Sequence, residues 1–156
     1  MLLSAQTIQK YAQTYGLVAP FCAKTVIHGM SYGLSSAGYD IRIKDDAHVW
    51  PGEFTLATTV ESFNFPNHLL GMLVDKSSWA RKGIAVQNTV FEPGWRGFPT
   101  IEISNHGHDL VVIPEGAPVA QMIFFKLDEP TDIPYVGKYQ DQEQKPTEAI
   151  DEKNTI

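Results

Sequence analysis

The sequence predicts a mainly β domain, a sandwich or barrel, preceded by one short helix. Three observations carry this. Apolar residues at helical spacing are confined to the stretch before Leu17. From Leu17 onward, short apolar or alternating runs follow one another, punctuated by Gly, Pro, Asn and Asp. No repeat at a fixed period and no second compositional block interrupts the 156 residues, so residues 1–156 are expected to form one domain with a core of its own.

The elements follow in order. Ser4 is a plausible N-cap and SAQTIQKYAQTYG reads as a helix ending at Gly16, with Ile8, Tyr11 and Tyr15 turned to the core. The strand-like runs are YDIRIK, EFTLATTVESFNF, LLGMLVD, IAVQNTVF, FPTIEIS, DLVVI and VAQMIFFKL. Pro51-Gly52, Pro93-Gly94 and Glu115-Gly116 are the clearest turns between them. From Asp141 the chain is polar, with Pro146 and mixed charges, and by itself reads as a disordered tail.

Composition narrows the function classes. Hydrophobic content of 43% and charged content of 19% suit a soluble globular protein, and no apolar run is long enough to span a bilayer. The N-terminus lacks a basic segment followed by a continuous apolar one, so no signal peptide is expected and the default location is the cytoplasm. Cys22 is the single cysteine, which excludes an intrachain disulfide and fits a small buried or half-buried residue. A formal net charge of −6 argues against general nucleic-acid binding. It leaves room for one anionic small molecule held by a local cluster such as Lys76, Arg81, Lys82 and Arg96, with Lys138 joining them in space.

The chemistry concentrates between Lys76 and Asn105. Alternation along TIEIS puts Thr100, Glu102 and Ser104 on one strand face and Ile101 and Ile103 on the other. A carboxylate on a strand, with Ser77, Ser78 and Arg81 upstream, suits proton transfer on a bound anion; a solvated strand face is the plainer alternative. His106 and His108 in NHGHD could make a weak metal site, but they lie in a polar turn and read first as loop histidines. With one cysteine and no His-x-Glu followed by Pro-Cys-x-x-Cys, the chain cannot build the zinc site of the zinc-dependent nucleobase deaminases.

These residues carry a resemblance. SSWARKG, EPGWRG and TIEISN, in that order, resemble the central signature of the dCTP deaminase family within the trimeric dUTPase superfamily. LLSAQTIQKY resembles the family's N-terminal helix, SSAGYDIRI its first shared strand, IPEGAPVAQMIFF the strand after the site, and YVGKYQDQ its C-terminal lid. The likeness runs through most of residues 1–147. It implies a distorted β-barrel or jelly-roll subunit of the dUTPase-like type, assembled as a homotrimer with active sites at subunit interfaces, and a C-terminal lid or tail over residues 135–156. The implied reaction is zinc-independent hydrolysis of dCTP to dUTP and ammonia. By resemblance Glu102 is the proton shuttle, Ser77 orients water and base, and Arg81 completes the site across the interface. Lys76 and Ser78 match phosphate-binding positions, with Mg²⁺ expected on the triphosphate rather than on protein ligands. Glu92 and Trp95 face the deoxyribose, and Thr100 shares the substrate-facing side of its strand. Tyr135, Lys138 and Gln142 touch phosphates as the lid closes. Gln121 matches a structural glutamine. dTTP is a candidate inhibitor.

Two departures from the family pattern matter. QNTVFE, between Val86 and Pro93, is shorter than usual, which leaves open whether Thr89 or Val90 contacts the base. Glu92 stands where Asp is usual. Both lean toward a dUTPase, which would give dUMP and pyrophosphate, or toward a bifunctional enzyme. Glu102, Arg81 and the absence of a Gly-rich C-terminal motif lean toward the deaminase. A nucleotide-binding trimer without turnover is the non-enzyme alternative.

Overall fold

A computed structural model describes residues 1–152. Helix α1 (Ala5–Tyr15) begins after Ser4 and ends at Gly16, which takes the left-handed conformation at φ +65° that favours glycine at this cap. The Ser4 hydroxyl meets Thr7 Oγ1 at 3.3 Å rather than capping a backbone N–H. Ile8 is fully buried and Tyr11 half-buried. Tyr15, expected in the core, is instead 57% exposed. It lies against Tyr11 one turn earlier, with ring centroids 5.4 Å apart, so the helical spacing marks an aromatic pair at the margin of the core.

The strands are β1 (Val18–Ala19), β2 (Thr25–Ile27), β3 (Met30–Leu34), β4 (Tyr39–Arg42), β5 (Ala47–Val49), β6 (Phe54–Thr58), β7 (Ser62–Asn64) and β8 (Leu69–Asp75). A four-residue helix, α2 (Ser77–Ala80), is followed by β9 (Ile84–Val86), β10 (Val90–Phe91), β11 (Arg96–Gly97), β12 (Thr100–Asn105), β13 (Val111–Ile113) and β14 (Pro118–Lys126). All pair antiparallel, in sheets ordered β10-β8-β14-β4-β3-β2, β6-β12-β9, β1-β7-β11 and β13-β5. The mainly β expectation holds. IAVQNTVF, however, is not one strand: Ile84–Val86 pairs with β12, whereas Val90–Phe91 pairs with β8. Gln87, Asn88 and Thr89 make the crossing between the two sheets.

Alternate residues of β8, β12 and β14 fill the interior, among them Leu69, Leu73, Ile101, Ile103, Met122 and Phe124. Phe63, Phe65, Phe91, Trp95 and Phe124 form one aromatic cluster, its tightest pair being Phe91 and Trp95, edge to face at 4.8 Å between centroids. Two ion pairs are buried or half-buried. Lys76 Nζ lies 3.0 Å from Asp40, which also accepts from Gln121 Nε2 at 3.2 Å. Glu61 accepts from both the backbone N–H and Nε of Arg42, at 2.8 and 2.7 Å. Among the described residues, no buried side-chain nitrogen or oxygen lacks a partner. Cys22 is half-buried, as expected. No helix is long and apolar enough to cross a membrane, among the described residues.

The tail departs from its expectation as a free end. Gln142 forms a parallel bridge with Gly97, and its carbonyl accepts from Phe98 N–H at 3.0 Å. Asp141 pairs with Arg96, and the Thr147 N–H donates to Thr100 Oγ1 at 3.0 Å. The polar residues that suggested disorder are those that make these bonds.

Candidate active site

The site grows from β12. Ile101 and Ile103 point into the core, while Thr100, Glu102 and Ser104 face the other way, as the alternation predicts. Glu102 lies opposite Leu56 on β6, and its carbonyl accepts from Gln87 N–H at 2.9 Å on the far side. Its backbone is therefore held from both edges. The Glu102 carboxyl is half-buried and accepts from Thr89 Oγ1 at 3.3 Å. Burial raises its pKa above the ordinary Glu value, and the Thr89 bond opposes that shift.

Next to it, Glu92–Trp95 forms a tight turn, with Trp95 N–H donating to Glu92 O at 3.0 Å. Pro93 occupies the second position and Gly94, at φ +88°, the third, the arrangement of a type II turn. A side chain on Gly94 would also come within 2.8 Å of Pro134 in the returning tail. The turn leaves Glu92 exposed and buries Trp95. The Trp95 indole N–H donates to Tyr139 O at 2.7 Å, and Gln140 bridges Gly94 O and Arg96 N–H, both at 2.9 Å.

A cavity of about 380 Å³ opens between β12, this turn and the tail. Its walls are largely apolar and aromatic, including Leu56, Phe91, Trp95, Tyr135 and Tyr139. The charged side chains lining it are two carboxylates, Glu92 and Glu102; no cation lines it among the described residues. A flat, polar-edged ring suits such a space.

Of the residues singled out in the sequence, Glu92, Trp95, Thr100, Glu102, Tyr135 and Gln142 line this one cavity. Lys76, Ser77, Ser78, Arg81 and Lys138 do not. Trp79 anchors α2 by donating its indole N–H to Pro118 O at 2.6 Å, which leaves Ser77, Ser78 and Arg81 on the exposed side. Lys76 is buried against Asp40 behind that helix, and Lys138 is exposed with its ammonium 5.3 Å from the Tyr139 ring. Both Thr89 and Val90, left open by the sequence, line the cavity. Leu56 and Tyr139 were missed: Leu56 belongs to the site through its register opposite Glu102, and Tyr139 through a tail that sequence alone leaves unplaced.

Known proteins share this chain's sequence pattern and its fold. The dCTP deaminase-like family profile matches residues 40–127. A protein of Herpetosiphon aurantiacus named dCTP deaminase is 37% identical over an alignment covering 86% of this chain and 91% of its own. One from Campylobacter curvus, also named dCTP deaminase, is 35% identical over 91% of this chain and 94% of its own. Among solved structures, a mutant dUTPase from phage phi11 of S. aureus, described for its coordination of a structural Mg(II) ion, superposes with a TM-score of 0.57. It shares 18% identity, covers 74% of this chain and 90% of its own, and shows a common fold. The chain therefore belongs to the dCTP deaminase-like family, built on a dUTPase-type barrel.

Proposed function

We propose that this protein hydrolyses dCTP to dUTP and ammonia, with Glu102 as proton shuttle and no zinc at the base. The observation that carries this reading is the Glu102 carboxyl, half-withdrawn from water in the wall of a largely apolar and aromatic cavity and hydrogen-bonded to Thr89. Cytosine would occupy that cavity with C4 toward the carboxyl. Ionised Glu102 takes a proton from water as the water oxygen bonds to C4. The proton then passes to the amino nitrogen, the C4–N bond breaks, and ammonia leaves. A carboxyl with a raised pKa serves both steps better than an ordinary one, because it holds the proton between them.

The deoxyribose would lie by Glu92 and Trp95. The triphosphate needs cations, and none lines this cavity among the described residues, which favours a homotrimer in which Ser77, Ser78 and Arg81 come from a neighbouring copy. Tyr135, Lys138 and Gln142 would approach the phosphates from the tail as a lid. Mg²⁺ would arrive on the triphosphate: the cavity's two carboxylates are a sparse donor set for an ion that prefers octahedral oxygen ligands and readily uses phosphates. dTTP, with the same sugar and triphosphate, is the inhibitor to try. A cytoplasmic location fits this metabolic role.

Product analysis with dCTP and dUTP in separate Mg²⁺ reactions tests the reading. Nucleotides are followed by chromatography, with assays for ammonia and pyrophosphate. The expected result is dUTP and ammonia from dCTP, with dUTP inert. Glu102→Gln is expected to fold and assemble while deamination falls by about 10²–10⁴-fold, and near-normal turnover by it would sink the assignment. Glu92, beside the same cavity and ahead of the Pro93-Gly94 turn, favours a second reading with phosphoanhydride hydrolysis. Pyrophosphate from dCTP would mean a bifunctional enzyme, and pyrophosphate from dUTP alone a dUTPase.

A further inference from the structure

The segment that departs from the family pattern also carries the one side-chain hydrogen bond to the Glu102 carboxyl among the described residues. We propose that the Thr89 hydroxyl is the positioning group of the proton shuttle, donating to the carboxylate and accepting from the carboxylic acid. This rests on the reading of Glu102 given above. Among the described residues, the Thr89 Oγ1 has two hydrogen-bond partners, Glu102 Oε2 at 3.3 Å and the Gln87 carbonyl at 3.5 Å. A hydroxyl has one proton to give and lone pairs to receive. With Glu102 ionised, the proton points to Oε2, the stronger acceptor. With Glu102 protonated, the hydroxyl turns its proton to Gln87 O and receives the carboxyl proton on its oxygen. Either state of the shuttle then keeps a partner, and the carboxyl keeps one orientation through the cycle.

The backbone around Thr89 is built to hold this hydroxyl. Leu73 N–H donates to Thr89 O at 2.9 Å on one side, and Gln87 N–H donates to Glu102 O at 2.9 Å on the other. The crossing thus ties the β8 edge to the Glu102 strand within three residues. A shorter segment has less freedom to move the hydroxyl away, which is what a positioning group needs.

The test compares Thr89→Val, which keeps the shape and removes the hydroxyl, with Thr89→Ser, which keeps the hydroxyl. Deamination of dCTP is followed across pH with kcat and KM separated. Thr89→Val is expected to lower kcat roughly tenfold with little change in KM. Loss of the bond that favours the ionised form should also move the acid limb of kcat/KM to higher pH. Among the described residues, the other titratable groups lining the cavity are Glu92, Tyr135 and Tyr139, joined by Arg81 of a neighbouring copy in the proposed trimer; all are retained in each variant. Thr89→Ser is expected to restore the acid limb and most of kcat. A wild-type pH profile in Thr89→Val, or equal impairment in both variants, would overturn the proposal. Should Thr89→Val fail to fold, Thr89→Ala is read in the same way. Glu102→Gln is run beside them: if it stays active, the shuttle reading itself is wrong, whereas if it is inactive and Thr89→Val matches wild type, only the Thr89 inference falls.

Discussion

Glu102 is carried at a cost to the fold that depends on pH. Burial raises its folded pKa above the unfolded value, so the folded state holds the proton more tightly. The stability this gives is fully present below the unfolded pKa, ordinarily about 4.3 for Glu, and is lost as pH rises through the folded pKa. Glu102→Gln has no such loss. Urea unfolding of both proteins from pH 4 to pH 8 is expected to show the variant gaining on wild type as pH rises, and to leave it at least as stable at the upper end. An opposite trend would mean that the ionised carboxylate has a stabilising partner in the native protein. The orientation of Glu102 was legible because TIEISN alternates strictly and Ile101 and Ile103 have one place to go. The partner of Lys76 was not. Asp40 lies 36 residues earlier in sequence and meets it only because β4 and β8 flank the same central strand, β14.

At the scale of elements, sequence patterns misjudged the tail, the crossing after β9 and the run EFTLATTVESFNF, which is two strands, β6 and β7, in different sheets because the chain turns between Thr58 and Ser62. IAVQNTVF reads as one run because two apolar blocks lie only three residues apart, yet its ends belong to different sheets. The tail reads as free because it has no apolar stripe, yet it is fastened by hydrogen bonds to Arg96, Phe98 and Thr100. Polar attachment of this kind leaves little trace in hydropathy. It is also easily undone: the Arg96–Asp141 pair is exposed at both ends, where salt screens it. Truncation before Tyr135 is expected to leave the barrel folded while raising KM for dCTP roughly tenfold or more, since lid contacts act mainly on the bound substrate. An unchanged KM in steady-state assays of the truncated protein would remove the tail from substrate binding.

For the whole molecule, the separation of two residue sets is the central fact. Among the described residues, Glu102 and Glu92 line a cavity without cations, while Ser77, Ser78 and Arg81 stand exposed on α2 and its C-cap elsewhere. If neighbouring copies complete each other's sites, Arg81→Ala and Glu102→Gln, each inactive alone, should complement when mixed. In randomly reassembled trimers about a quarter of sites would join an intact Arg81 to an intact Glu102. Deamination near that fraction of wild type is expected after dissociation and reassembly; none would place Arg81 in the same copy's site or outside the chemistry. The likeness of motifs announced the barrel, but only the folded chain shows which motif residues one copy brings together. The bond from the Trp95 indole to the Tyr139 carbonyl, 2.7 Å long, has a spectroscopic consequence. Trp50 already stands 56% exposed, and Trp79 is locked to Pro118 inside the barrel. If the tail lifts as a lid, Trp95 is the indole that would exchange a carbonyl for water, and its fluorescence would then report the opening and closing of the proposed site.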